Sequence, residues 1–278
     1  MRCVNSAAVP RSPFYQQVRH NWQAQQTLLC VGLDPNPEKI PQGVTLAEFC
    51  REIVAATHDL VCAFKPQIAY FSATAQEQTL EELIDYIHLD YPDIPVILDA
   101  KRGDVGSTAK LYAQECFERY AADAVTVNPY LGVESIKPFT DYHDRGVFVL
   151  ARTSNPNSQW LQHHPKEDPV YMRVAVESNV WNTHNNVGLV AGATYPEELK
   201  KIRAAIGDMP MLVPGVGAQG GSLEEVLAVG LDSNRQGLII NASRSILYAN
   251  ADRHNFADAA RRAALDLVRE MREITGSR

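Results

Sequence analysis

A chain of 278 residues, 45% hydrophobic and 21% charged, has the make-up of an ordinary soluble globular protein, long enough for one large core. Its formal net charge of −7 disfavours nonspecific contact with nucleic acid or an anionic membrane, so an anionic ligand would have to be drawn by a local site. No apolar run nears the roughly 20 residues of a membrane-spanning helix, and Met1 to Ser12 lacks the apolar stretch of a secretory signal, so a cytoplasmic location is expected.

Residues 1–10 match no motif and are expected to be a flexible extension, with 11–278 as a single catalytic domain. After Ser12-Pro13 an amphipathic helix is predicted, carrying Phe14, Val18 and Trp22 and placed to plug the bottom of a barrel. Eight short apolar, β-branched runs follow. They are Leu28 to Leu33, Leu60 to Phe64, Pro95 to Leu98, Ala124 to Val127, Gly146 to Leu150, Val187 to Ala191, Met211 to Val213 and Gly237 to Ile240. Most are continuously hydrophobic rather than alternating, as in parallel strands covered on both faces.

Helical stretches with start signals separate these runs. Thr45 with Glu48, Thr194 with Glu197 and Ser222 with Glu225 have capping-box spacing. Behind the first of them, Leu46, Phe49, Ile53 and Ala56 predict one apolar face. The repeated βα pattern predicts a (β/α)8 TIM barrel with an N-terminal capping helix, an open doubly wound sheet being the second architecture that eight strands could form. The polar stretch from Thr153 to about Asp168, between the fifth strand and its helix, reads as a lid. Five widely spaced cysteines, Cys3, Cys30, Cys50, Cys62 and Cys116, form no CxxC pair and read as reduced thiols. His163-His164 lacks partners at metal-ligand spacing and reads as solvated loop, so no metal is expected.

In such a barrel the chemistry lies at the carboxyl ends of the strands. Asp34 ends the first run, Lys65 the second, and Asp99-Ala100-Lys101-Arg102-Gly103-Asp104 the third. Asp99 and Lys101 stand two residues apart, so on an extended strand both side chains point to one face and set a carboxylate beside an ammonium. A structural ion pair is the plain alternative for that pair alone, and the other charged strand ends weigh against it. A second cluster lies near the C-terminus, where Pro214-Gly215-Val216-Gly217-Ala218-Gln219-Gly220-Gly221 follows the seventh strand and Asn241-Ala242-Ser243-Arg244-Ser245 the eighth. Glycines such as Gly217 let backbone N–H groups converge on an anion, and Arg244 offers a planar donor suited to phosphate. Loops seven and eight are also the frequent phosphate position of this architecture.

With these motifs in their order, the chain from about Thr27 onward resembles the orotidine 5′-monophosphate decarboxylase family. Asp99 to Asp104 looks like its D-x-K-x-x-D signature, with Val105 and Thr108 fitting the positions that follow. Together with Ala151-Arg152-Thr153-Ser154-Asn155-Pro156 and the Pro214 to Gly221 loop, it is most similar to the bacterial branch with the longer chain. The resemblance implies that Asp34 and Lys65 contact the ribose hydroxyls and that Lys65, Asp99, Lys101 and Asp104 form an alternating charge network. It implies a homodimer in which Asp104 and then Thr108 enter the neighbouring subunit's site. Ser154 would meet the pyrimidine edge, and Gln219 and Arg244 the phosphate.

The implied reaction is cofactor-free decarboxylation of orotidine 5′-monophosphate to UMP in pyrimidine biosynthesis. Loss of CO2 from C6 leaves charge in an orbital that does not conjugate with the ring carbonyls. An ammonium beside C6, assigned to Lys101, stabilises that charge and delivers the proton. Asp99 and Asp104 keep Lys101 protonated and aimed, and Asp99 also repels the substrate carboxylate. The alternatives are a metal-dependent phosphosugar decarboxylase or aldolase of the same barrel type, a Schiff-base aldolase using Lys101 or Lys65, and a catalytically silent nucleotide-binding barrel.

Overall fold

Eight parallel strands follow the apolar runs: β1 (Leu29–Leu33), β2 (Ala63–Pro66), β3 (Ile97–Arg102), β4 (Ala124–Val127), β5 (Gly146–Arg152), β6 (Val187–Ala191), β7 (Met211–Pro214) and β8 (Leu238–Ala242). The structure, a computed structural model, describes residues 11–217 and 220–276; residues 1–10, with Cys3, and Ala218-Gln219 lie outside the described residues. Strand order is β2-β1-β8-β7-β6-β5-β4-β3. The two ends of that series meet through parallel bridges Phe64 to Val96 and Gln67 to Asp99, which close the sheet on itself. Nearly every strand residue is buried, because side chains fill the barrel inside and helices cover it outside.

Parallel strands need long crossovers, and the helices supply them. The chain opens with α1 (Phe14–Ala24) before β1, and α2 (Leu46–Thr57) returns from β1 to β2. Next come α3 (Ile68–Ser72) and α4 (Glu77–Asp90) after β2, α5 (Gly106–Gln114) after β3 and α6 (Lys137–Thr140) after β4. Then follow α7 (Gln159–Gln162) and α8 (Val170–Trp181) after β5, α9 (Pro196–Ile206) after β6 and α10 (Leu223–Gly230) after β7. The chain finishes with α11 (Arg244–Leu247) and α12 (Phe256–Thr275) after β8. No helix among the described residues is long and apolar enough to cross a membrane.

The predicted cap on α2 is a complete capping box: Glu48 N donates to Thr45 Oγ1 at 3.2 Å, and Thr45 N to Glu48 Oε2 at 2.8 Å. Such a cap stabilises by about 1 kcal/mol. Its buried face is Leu46, Phe49, Cys50, Ile53, Val54 and Thr57, wider than the predicted stripe, and Ala56 is only half buried. On α10 only the forward bond forms, from Glu225 N to Ser222 Oγ at 3.3 Å. The box expected at Thr194 is absent. Pro196, whose fixed φ suits a first helical position, starts α9, and the Thr194 hydroxyl instead donates to Ser154 O at 3.4 Å.

The floor of the barrel is sealed as expected. Phe14, Val18 and Trp22 of α1 are buried, and Phe14 and Tyr15 pack edge-on against Phe148 of β5 at 5.7 and 5.9 Å. Glycine makes this approach possible. A Cβ on Gly146, the first residue of β5, would strike the Phe14 ring, and one on Gly188 the Tyr15 hydroxyl. Asp123 clasps the same end: fully buried before β4, it accepts from Arg11 Nε at 3.1 Å and Val96 N at 2.8 Å and meets His88 Nε2 at 2.8 Å. Burial alone would raise its carboxyl pKa, but His88, Arg11 and the Val96 amide hold it below the usual value. Cys30, Cys50, Cys62 and Cys116 are buried and free, and burial pushes the Cys30 thiol up to about 12, which makes it inert packing.

Candidate active site

At the opposite end, the carboxyl termini of the strands surround a cavity of about 390 Å3. Asp34, Lys65, Asp99, Lys101, Thr126 and Asn241 line one part of it, while Leu150, Val190, Leu212 and Pro214 supply an apolar wall. Ser154 and Asn155 complete the lining from the loop after β5.

Asp99 is the centre. Its Oδ2 accepts from Lys65 Nζ at 2.9 Å, and its Oδ1 from Lys101 Nζ at 2.7 Å and from Thr126 Oγ1 at 2.8 Å. The two lysines differ in setting. The Lys65 side chain is 5% exposed and that of Lys101 47% exposed, so Lys65 is a buried counterion and Lys101 presents its ammonium to the open cavity. Burial raises a carboxyl pKa, yet the paired ammoniums of Lys65 and Lys101 hold Asp99 well below the usual carboxylate range. Burial pulls Lys65 down, and Asp99 and Asp34 more than offset this, so its ammonium is held above the usual lysine range. The Asp99 carboxylate and the Lys65 ammonium therefore stay charged at neutral pH.

The backbone that makes this cluster is irregular. β3 shifts register against β4 between Leu98 and Arg102, and Lys101 has φ of +47°, a conformation that costs a non-glycine residue about 1 kcal/mol or more. Lys101 N donates to Thr126 Oγ1 at 3.0 Å, which anchors the distortion. Asp99 and Lys101 therefore meet as expected, but through a bulge rather than the regular alternation of a strand.

Other predicted residues stand apart from this cluster. Asp104 follows β3, and its Oδ1 accepts from Val105 N at 2.8 Å; it does not join the lining with Lys101 within one chain. Thr108 lies on the exposed surface of α5. Gly217 has φ of +67°, and its N–H donates to Gly221 O at 2.9 Å. That bond commits the Gly217 N–H to the backbone of its own turn, whereas the glycine N–H groups here were expected to converge on an anion. Gln219 lies outside the described residues. Arg244 opens α11 on the exposed rim after β8. His163 lies half exposed in the loop after β5, and its Nδ1 is 2.9 Å from Glu198 Oε1.

Sequence reasoning missed Thr126, and it placed Asn241 in the cluster after the eighth strand without a role of its own. Thr126 is the one hydroxyl in the apolar run of β4, a signal that pattern alone discounts. Asn241 ends β8 facing inward and buried, and a Cβ on Gly32 would lie 3.1 Å from its Oδ1 and 2.8 Å from Ser243 Cβ. Among the described residues, Asp34 Oδ1, Asn241 Oδ1 and Ser243 Oγ are buried without a hydrogen-bond partner. Orphaned polar atoms are costly in a core and mark places where a ligand donates or accepts.

A closed parallel barrel with alternating carboxylates and ammoniums at its carboxyl end, and with a glycine turn and an arginine following the strands of its last two units, is an α/β-barrel enzyme for an anionic substrate. The family model described as orotidine 5′-phosphate decarboxylase / HUMPS family matches residues 27–260, and the chain belongs to that family. It is 54% identical over 259 residues to the orotidine 5′-phosphate decarboxylase of Ralstonia pickettii, covering 91% of this chain and 95% of the relative. It is 53% identical to that of Cellvibrio japonicus, covering 93% and 97%. The solved structure of Leishmania donovani OMP decarboxylase superposes with a TM-score of 0.83 at 36% identity, covering 96% of this chain and all of that one.

Proposed function

We infer that this chain decarboxylates orotidine 5′-monophosphate to UMP and CO2 in pyrimidine biosynthesis, with residues 11–278 acting as one catalytic unit. The observation that carries the mechanism is the cluster in which Asp99 is shared between buried Lys65 and cavity-facing Lys101. Lys101 is the catalytic residue. Its ammonium, fixed beside a carboxylate, stabilises the charge left on C6 as CO2 departs and then delivers the proton. Asp99 keeps that ammonium aimed and sets a negative charge near the departing carboxylate, with Lys65 preventing Asp99 from protonating.

The unpartnered oxygens of Asp34 and Asn241 fit ribose hydroxyl donors, while Ser154 on the opposite rim reads the pyrimidine edge. The Gly217 turn, Gln219 and Arg244 hold the phosphate, whose remote binding energy supports a step needing stabilisation on the order of 20 kcal/mol. Lys65, Lys101 and Thr126 together engage both oxygens of Asp99. That donor set suits charge stabilisation by an ammonium better than the metal-dependent phosphosugar alternative. The decisive experiment is a spectrophotometric assay with orotidine 5′-monophosphate in the presence and absence of EDTA. Turnover insensitive to the chelator is expected, and chelator-sensitive or absent turnover overturns the reading.

A homodimer completes the site in this proposal. Asp104 and Thr108 do not line their own chain's cavity, and the segments around them carry exposed apolar side chains: Val105, Leu111, Tyr130, Leu131 and Val133. Such a patch fits a second copy of the chain, which would receive Asp104 and Thr108. A cytoplasmic location goes with this reading.

A further inference from the structure

The side chain of Arg152, at the end of β5, is 1% exposed, yet most of its bonds go to one surface loop. Nη1 donates to Thr153 O at 3.0 Å, Ser158 Oγ at 2.6 Å and Gln162 Oε1 at 3.1 Å. Gln162 Oε1 in turn accepts from Thr153 N at 2.9 Å, and Gln162 Nε2 donates to Thr153 Oγ1 at 2.9 Å. The guanidinium is itself fixed from behind: Nε donates to Glu198, and Cζ lies 3.8 Å from the centre of the Tyr195 ring. From the other side, Gly192 sits so close that a Cβ there would lie 2.8 Å from Ser154 N.

The chain leaving β5 is thus tied down immediately before and shortly after Ser154-Asn155, the part of the loop that lines the cavity. An ion pair with Glu198 alone would need none of these loop bonds. Only a planar, multiply donating cation can reach Thr153, Ser158, Gln162 and Glu198 at once, so lysine is no substitute.

We propose that Arg152 is a positioning residue for the reaction, pre-forming the Ser154-Asn155 turn so that its ordering is not left to the substrate-binding step. The proposal rests on the reading of Ser154 as the pyrimidine contact. Arg152 touches no substrate and acts through Thr153, Ser158 and Gln162.

A double-mutant cycle tests it with kcat and KM for orotidine 5′-monophosphate, on Arg152→Lys, Ser154→Ala and the double variant. Arg152→Lys is expected to lower kcat/KM by about 10- to 100-fold, yet to cost less than about 3-fold once Ser154 is alanine, because the two changes remove the same thing. Equal losses from Arg152→Lys in both backgrounds, or a loss below 2-fold in the parent, overturn the proposal while leaving Ser154 in place. A neutral Ser154→Ala instead overturns the pyrimidine-contact reading, and this proposal with it. Should Arg152→Lys fail to fold, Gln162→Leu, at a half-buried neutral position, carries the same cycle with the same outcomes.

Discussion

The ammonium of Lys101 lies 2.7 Å from Asp99 Oδ1 while the Lys101 side chain remains 47% exposed at the mouth of the cavity. It is therefore held by an acid without being enclosed by it, the geometry required of a cation that must both stabilise charge and give up a proton.

Lys101→Ala is expected to lower kcat by on the order of 10⁴-fold or more, since it removes electrostatic stabilisation and the proton donor together. The folded state should persist, because Asp99 keeps Lys65 and Thr126. Loss of orotate-ring absorbance measures the first and a thermal melt the second. Turnover near the parent rate would remove Lys101 from its role.

Asp99→Asn leaves the buried Lys65 ammonium without its counterion, a loss of about 3–5 kcal/mol. The Asp99 carboxyl is held below its unfolded value, so its contribution is present above the ordinary carboxylate range and lost as pH falls through the folded value. Lys65 is held above its unfolded value, so its contribution is present below the ordinary lysine range and fades as pH rises through the folded value. The stability gap between parent and variant should be full at pH 7 and shrink below about pH 4. Urea unfolding at both pH values measures it.

Arg244→Ala should raise KM for the nucleotide by about 10-fold or more, the loss of a charge-assisted contact. Weak turnover of the phosphate-free nucleoside should be unchanged. Equal losses on both substrates would place Arg244 outside the phosphate site.

Asn241→Ala removes an acceptor that has no partner among the described residues, so the fold should gain or lose little. KM for the nucleotide should rise by about 5- to 10-fold, the value of one buried hydrogen bond. A melting temperature that drops while KM stays constant would make Asn241 structural.

Leu111→Glu places a charge in the exposed patch beside Thr108. Sedimentation should shift from dimer to monomer, with decarboxylation lost in parallel as Asp104 and Thr108 leave the neighbouring site. A monomeric parent would sink the shared-site proposal.

The barrel was legible because each buried parallel strand must be continuously apolar, and all eight runs became strands with ends shifted by a few residues. The third run's end moved farthest, from Leu98 to Arg102, and strand β2 runs from Ala63 to Pro66 and carries Lys65 within it, because a buried lysine paired with Asp99 reads as a polar stop in a hydrophobicity pattern. The acid and base residues at the strand ends were legible for the converse reason, that unpaired charges are rarely placed there without use. The bulge at Lys101, the hydroxyl of Thr126 and the His163–Glu198 contact were not. Each depends on a partner distant in the chain, and spacing carries no record of such partners. Thr194 misled because its capping spacing competes with Pro196, and a fixed proline φ decides where a helix starts.

The aromatic stopper that α1 drives into the underside of the barrel, with Phe14 and Tyr15 seated over Gly146 and Gly188, closes that end among the described residues and leaves the cavity open at the carboxyl ends of the strands. In the proposed reaction, carbon dioxide and nucleotide would share the opening at the carboxyl ends of the strands.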